Sequence, residues 1–178
     1  MVILITGASH TGKTLLAQKI LETYGYSYVS LDLLKMGLIR SGYTQLTPED
    51  DDALQDYLWP IVREMVKTAI ENRQDLVVEG GYIPFDWEED FSDEYLTDIR
   101  YYCLVMTRRY IETHFDAIKA FANVIETRRH DQWYTKARAI EENLDVLERC
   151  ERHGCAYVLI DDRYQTDSVL ADIARRSP

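Results

Sequence analysis

Three cysteines, Cys103, Cys150 and Cys155, are too few to frame a disulfide-stapled fold, and none sits in a C-x-x-C pair of the zinc-binding kind. They read as buried or incidental thiols, which fits a reducing cytoplasm. Long apolar runs are also missing: nothing approaches the roughly 20 residues of a membrane-spanning helix. The first residues look like a strand, not like a charged segment followed by a signal core. Basic residues are scarce, with 20 Lys and Arg against 31 Asp and Glu, giving a formal net charge of −11. That balance argues against a nucleic-acid polymer or an anionic membrane as main partner. A local basic site for a nucleotide stays compatible with it. The four histidines lack metal-ligand spacing. No repeat, low-complexity linker or composition break divides the 178 residues, so residues 1–178 are expected to form one domain with a full core.

What the chain does have is Gly7-Ala8-Ser9-His10-Thr11-Gly12-Lys13-Thr14, which fits the phosphate-loop pattern G-x-x-x-x-G-K-S/T. Val2-Ile3-Leu4-Ile5 before it reads as a short buried strand. Leu15, Leu16, Ala17, Ile20 and Leu21 after it are spaced as the inner face of a helix. Strand, glycine loop and helix is the arrangement that phosphate binding needs. A helix start offers free N–H groups and the positive end of the macrodipole, and the loop wraps further N–H groups around the anion. Lys13 is expected to reach the β- and γ-phosphates of ATP, and the Thr14 hydroxyl to ligate Mg²⁺. His10 occupies a variable position of the loop and is read as a tolerated residue, not as a base.

Strand-like runs recur at Val2–Thr6, Tyr26–Leu31, Leu76–Glu79, Tyr101–Met106 and Ala156–Ile160, with helical patterns between them. The alternation predicts an α/β fold with a parallel sheet. The expected helices are Lys13–Tyr24, a short one over Leu33–Ile39, and a longer one opening at Thr47-Pro48. There Thr47 would serve as N-cap and Asp50 would complete a capping-box-like start. Pro60 falls inside that third helix and is expected to kink or split it. Further helices are expected over Arg108–His130, over Lys136–Arg152, and around Val169, Leu170 and Ile173. The stretch Asp86 to Asp98 carries seven carboxylates among thirteen residues. It reads as a solvated surface loop, with cation binding as a minor alternative.

In open parallel sheets the site lies at the carboxyl ends of the strands. That rule gathers the loop after the first strand, Asp32 after the second and Glu79 after the third. Asp32 could accept or orient the proton of an acceptor hydroxyl, or cap the following helix. Glu79 could hold the Mg²⁺ shell, act as the base itself, or bond the backbone at its strand end. Arg128 and Arg129 suit a clamp on the transferring phosphoryl group, or a solvated basic helix end. Arg108 and Arg109 are weaker candidates for the same clamp. Lys35 and Arg40 flank the expected acceptor pocket. Trp133 and Tyr134 could stack on a ring or pack the core.

These motifs resemble the small P-loop kinases of the adenylate kinase-like group, which includes nucleoside monophosphate kinases, shikimate and gluconate kinases and antibiotic phosphotransferases. The resemblance is carried by Gly7–Thr14, by Tyr28-Val29-Ser30-Leu31-Asp32, by Val77-Val78-Glu79-Gly80, and by the arginine-rich Arg128–His130 stretch where the group has its lid. It implies a three-layer fold with a five-stranded parallel sheet in order 2-3-1-4-5. It also implies an ATP and Mg²⁺ site on the first loop, an acceptor region over about 32–73 beside Asp32, and a helical lid over about 123–136 that excludes water. In place of the AMP-binding arginine of adenylate kinases the chain has Lys35, and its third strand is followed by Glu79-Gly80-Gly81-Tyr82-Ile83 without an arginine. The reading is therefore a cytoplasmic kinase of a small hydroxylated metabolite, monomeric or weakly dimeric. A nucleoside monophosphate kinase is the alternative and a nucleotide-binding switch a second one. The D-x-x-G and N-K-x-D signatures of a GTPase switch are missing near strands three and four.

Overall fold

Each of the five apolar runs becomes a strand. In chain order the elements are β1 (Val2–Gly7), α1 (Lys13–Tyr24), β2 (Ser27–Ser30), α2 (Leu31–Arg40), α3 (Asp51–Glu71), β3 (Leu76–Glu79), α4 (Asp93–Leu96), β4 (Ile99–Met106), α5 (Arg108–Phe121), α6 (Lys136–His153), β5 (Tyr157–Ile160) and α7 (Asp167–Arg176). The computed structural model describes residues 1–121, 134–164 and 166–176. The strands form one parallel sheet in the order β2-β3-β1-β4-β5, as the resemblance implies. Register brings Ile5 beside Glu79, Ser30 beside Glu79, and Gly7 beside Leu104, so the loop, Asp32 and Glu79 share one edge.

The period of two along a strand sorts the core. Val2, Leu4, Val78, Cys103 and Val105 pack on one face with Leu54, Leu58 and Val62 of α3 and with Val146 and Cys150 of α6. Ile3, Ile5, Val77, Leu104 and Met106 pack on the other face with Leu16 and Ile20 of α1, Ile111 and Ile118 of α5, and Val169 and Ile173 of α7. The result is helix, sheet, helix. The three cysteines are free thiols, two of them buried.

Three local expectations are corrected. The third helix does not open at Thr47. Residues 47–50 form a turn, in which the Asp50 N–H donates to the Thr47 carbonyl (3.1 Å). The Asp50 carboxylate accepts from the Thr47 N–H (2.7 Å) and hydroxyl (2.9 Å). The Thr47 hydroxyl donates to Asp50 instead of accepting a backbone N–H, so only the carboxylate half of the capping box forms and the helix begins at Asp51, with Asp50 at the N-cap position. Nor does Pro60 split that helix, which continues to Glu71. Pro60 and Asp56, whose carbonyl loses its donor, are both exposed, so water can satisfy the acceptor. Finally, Ser30 holds the N-cap position of α2, so Asp32 is a first-turn residue and not the cap.

The acidic stretch after β3 is anchored, not merely solvated. Trp87 and Phe91 are buried in it. Asp90 accepts from the Trp59 indole (2.6 Å) and pairs with Arg63 (3.0 Å).

Candidate active site

β1 is buried to its end and turns into the loop at Gly7. There φ is +135°, and an added Cβ would lie 2.2 Å from the Leu104 carbonyl oxygen. At the other end Gly12 (φ +82°) is the N-cap of α1, and a Cβ there would meet the Tyr164 hydroxyl at 2.6 Å. A side chain at either position would fill the cradle or displace its wall. The Tyr164 hydroxyl donates to the Gly12 carbonyl (2.9 Å), and the Thr11 hydroxyl to the Ala8 carbonyl (2.8 Å). Burial pushes the Tyr164 phenol above its ordinary pKa. α1 starts with no side-chain cap and no acid in its first turn. Its N–H groups and dipole therefore stand open to an anion.

The Lys13 ammonium lies across the loop and donates to the carbonyls of Gly7 (3.1 Å) and Ala8 (2.8 Å). Thr14, one residue on, is half-buried. His10 adopts a left-handed backbone (φ 63°) and stacks on Tyr134 at 3.8 Å between centroids. The Tyr134 hydroxyl donates to the Ser9 carbonyl (3.1 Å). A cradle of this kind, positive and free of Cβ atoms at its two narrow points, fits a nucleotide polyphosphate. Among the described residues no group of three or more His, Cys, Asp or Glu side chains is placed to hold a metal ion. Magnesium bound with a nucleotide needs one or two protein oxygens beside the phosphates, and the Thr14 hydroxyl and the nearby carboxylates are of the hard type it takes.

Beside the loop, the first turn of α2 presents Asp32. Lys35, one turn on, pairs with it (2.8 Å) and donates to the Tyr82 hydroxyl (2.8 Å), which in turn donates to Asp51 (3.0 Å). Burial opposes the Lys35 charge, but the Asp32 carboxylate and the Tyr82 hydroxyl outweigh it and hold the lysine above its usual pKa. Burial pushes the Tyr82 phenol up to about 12 against the pull of that ammonium. Lys13, Ser9, Asp32, Lys35 and Tyr82 line one cleft of about 760 Å³, within the size range of small-molecule sites. Glu79 is only 2% exposed, and it contributes no lining surface to this cleft.

Arg128 and Arg129 lie outside the described residues, as do Trp133 and most of the expected lid. Arg108 and Arg109 are exposed and do not line the cleft. Arg109 pairs with Asp161 and Asp162, and Arg108 with Glu112 (3.9 Å). Arg40 ends α2 on the surface. The far wall of the cleft, which the sequence reading passed over, is α6 with Arg138, Glu142, Asp145 and Arg149. Their spacing of four, three and four residues is a charged stripe on one helix face, and that was visible in the sequence.

A parallel sheet in this order, with G-x-x-x-x-G-K-T between its central strand and the first helix, defines the three-layer P-loop fold. Within that class the fold is that of small P-loop kinases. The chain is similar to a shikimate kinase from Bacteroides thetaiotaomicron (TM-score 0.53, 16% identity, 98% of this chain and 97% of that one). It is also similar to a deoxyadenosine kinase from M. mycoides (TM-score 0.55, 15% identity, 99% and 98%) and a gluconokinase from Sinorhizobium meliloti (TM-score 0.50, 17% identity, 98% and 91%). No protein-family model matches the chain, and no curated protein sequence does.

Proposed function

We propose that the chain is an ATP-dependent phosphotransferase that moves the γ-phosphoryl group of Mg-ATP to a hydroxyl of a small metabolite. The observation that carries this reading is the shared cleft, with the Lys13 ammonium on one wall and the Asp32 carboxylate on the adjoining one. Mg-ATP supplies the activated phosphoryl group and a leaving ADP.

The chain's own groups do the rest. Gly7–Thr14 hold the polyphosphate through backbone donors, with Lys13 turning from the loop carbonyls to the phosphates, and the Thr14 hydroxyl would hold a magnesium ion bound with them. Asp32, paired with Lys35 (2.8 Å), accepts a hydrogen bond from the acceptor hydroxyl and points the hydroxyl oxygen at phosphorus. As the new O–P bond forms and the bond to ADP breaks, the hydroxyl proton passes to Asp32. Transfer of this kind has a loose transition state, so positioning and charge outweigh the strength of the base. Glu79, buried at the end of β3, would order the water shell of a magnesium ion bound with the nucleotide. Arg128 or Arg129 neutralises the moving group.

The α2–α3 side of the cleft carries Asp32, Glu49, Asp51 and Asp52 against Lys35. That balance repels a nucleoside monophosphate and favours a neutral or cationic hydroxylated acceptor. We place the enzyme in the cytoplasm as a monomer or weak dimer. Among the described residues no helix is long and apolar enough to cross a membrane.

The test is ADP release from Mg-ATP with AMP, other nucleoside monophosphates, and pooled hydroxylated metabolites and antibiotics. Turnover with a hydroxylated pool, lost in Asp32→Asn, supports the reading. Turnover with a monophosphate replaces it with a nucleotide kinase. Nucleotide binding without transfer to any acceptor replaces it with a switch.

A further inference from the structure

Helix α6 reaches the phosphate loop through a carboxylate. One oxygen of Glu142, about two turns into α6, accepts from both the Ser9 backbone N–H (2.8 Å) and the Ser9 hydroxyl (2.8 Å). A phosphate loop works by offering such donors to an anion. Here two of them, on one residue, are held by an anion that belongs to the protein. Tyr134, just before α6, fastens the same tip by its bond to the Ser9 carbonyl and its stacking on His10.

The position of Ser9 decides which phosphate meets this contact. Gly7, Ala8, Ser9 and Lys13 line the cleft shared with Asp32, whereas Thr11 and Gly12, nearer the start of α1, do not. The inner phosphates belong to the α1 end of the loop. Ser9 and the Glu142 carboxylate that holds its donors both line the cleft that contains Asp32, the cleft in which the transferred phosphoryl group must lie on the reading above.

We propose that Glu142 is a specificity-determining residue of the nucleotide site. Its carboxylate holds the Ser9 donors until the terminal phosphate of a nucleoside triphosphate takes them. This rests on the phosphate-loop reading given above. The Ser9 N–H has one hydrogen to give, and a carboxylate and a phosphate beside it repel each other, so the two anions exclude one another there. A triphosphate must displace Glu142. A diphosphate, which ends short of Ser9, binds with the contact intact. Arg138, one turn back on the same helix face and lining the same cleft, gives the displaced carboxylate a cation. Glu142 thus lowers the site's preference for triphosphate over diphosphate and couples the position of α6 to the terminal phosphate.

The experiment is calorimetric titration with ADP and with the non-hydrolysable imido analogue of ATP. It uses the wild type, Glu142→Gln, Glu142→Ala and, as a charge control, Glu141→Gln, whose side chain is on the exposed side of α6. We expect the triphosphate Kd to fall about tenfold in both Glu142 variants, the scale of a charge-assisted hydrogen bond. The ADP Kd should move by less than about threefold on the same scale, and Glu141→Gln should change neither. Equal tightening toward both nucleotides overturns the proposal in favour of a general charge effect. Unchanged or weaker triphosphate binding overturns it in favour of a structural brace. If that occurs while Lys13→Ala still abolishes binding, the phosphate-loop reading stands and only the role of Glu142 falls. If neither the wild type nor any variant binds either nucleotide, both fall together.

Discussion

On the proposed function Lys13 is the residue on which transfer depends, and its ammonium sits inside the loop on the carbonyls of Gly7 and Ala8. Lys13→Ala should reduce phosphoryl transfer by much more than tenfold, above about 1.4 kcal/mol at the transition state. Wild-type turnover in that variant would remove the loop from the mechanism. Tyr82 offers a second check. Its folded pKa of about 12 lies above its ordinary value of 10.0. The phenol therefore adds stability that is complete below pH 10 and is lost as the pH climbs toward 12. Thermal melts of Tyr82→Phe between those limits should lose stability less steeply with pH than the wild type, and parallel slopes would refute the assignment. The loop was legible because its pattern is contiguous and its chemistry local. Tyr82 and Glu142 were not legible as site residues, whereas Tyr134 was read as stacking on a ring or packing the core, and it does both, on His10 and in the buried interior. Tyr82 enters the site only once Lys35 and Asp51 are packed around it. Glu142 and Tyr134 enter only through the docking of a helix more than a hundred residues further along the chain.

At the level of elements, the central strands β1, β3 and β4 were legible from apolar runs, because a strand buried on both faces leaves a continuous signature, while the edge strands β2 and β5 kept an apolar or β-branched run with one side exposed. The start of α3 was not. Thr47 and Asp50 can satisfy one another in a turn as well as in a helix cap, and the sequence pattern is the same for both. Pro60 shows that solvent exposure can rescue a residue that propensity rejects. Removing it tests this. Pro60→Ala should stabilise the protein by about 1–2 kcal/mol, since the helical gain of up to about 3 kcal/mol is offset by the freer unfolded chain. Denaturant unfolding would measure it, and a destabilised variant would mean that the ring is needed where it stands.

For the whole molecule, charge and fold meet in the cleft beside the phosphate loop. A protein of net charge −11 presents Lys13 and the uncapped start of α1 there, so on the proposed function Mg-ATP and not a longer polyanion should stabilise it. At a hundredfold excess over Kd, binding is worth about 2.7 kcal/mol, a rise in melting temperature of roughly 5–10 °C for a chain of this length. Single-stranded RNA at equal phosphate concentration should give no rise; a comparable one would point to a nucleic-acid partner. The order β2-β3-β1-β4-β5 also sets a timetable. Of the five strands β1, which carries the phosphate loop, is made before the others, yet neither of its sheet partners follows it directly. Synthesis must pass Glu79 before β1 gains one neighbour, and Met106 before it gains the other. From Gly7 to Glu79 the growing chain therefore carries an apolar strand with no sheet partner yet made, and until Met106 one with a single partner.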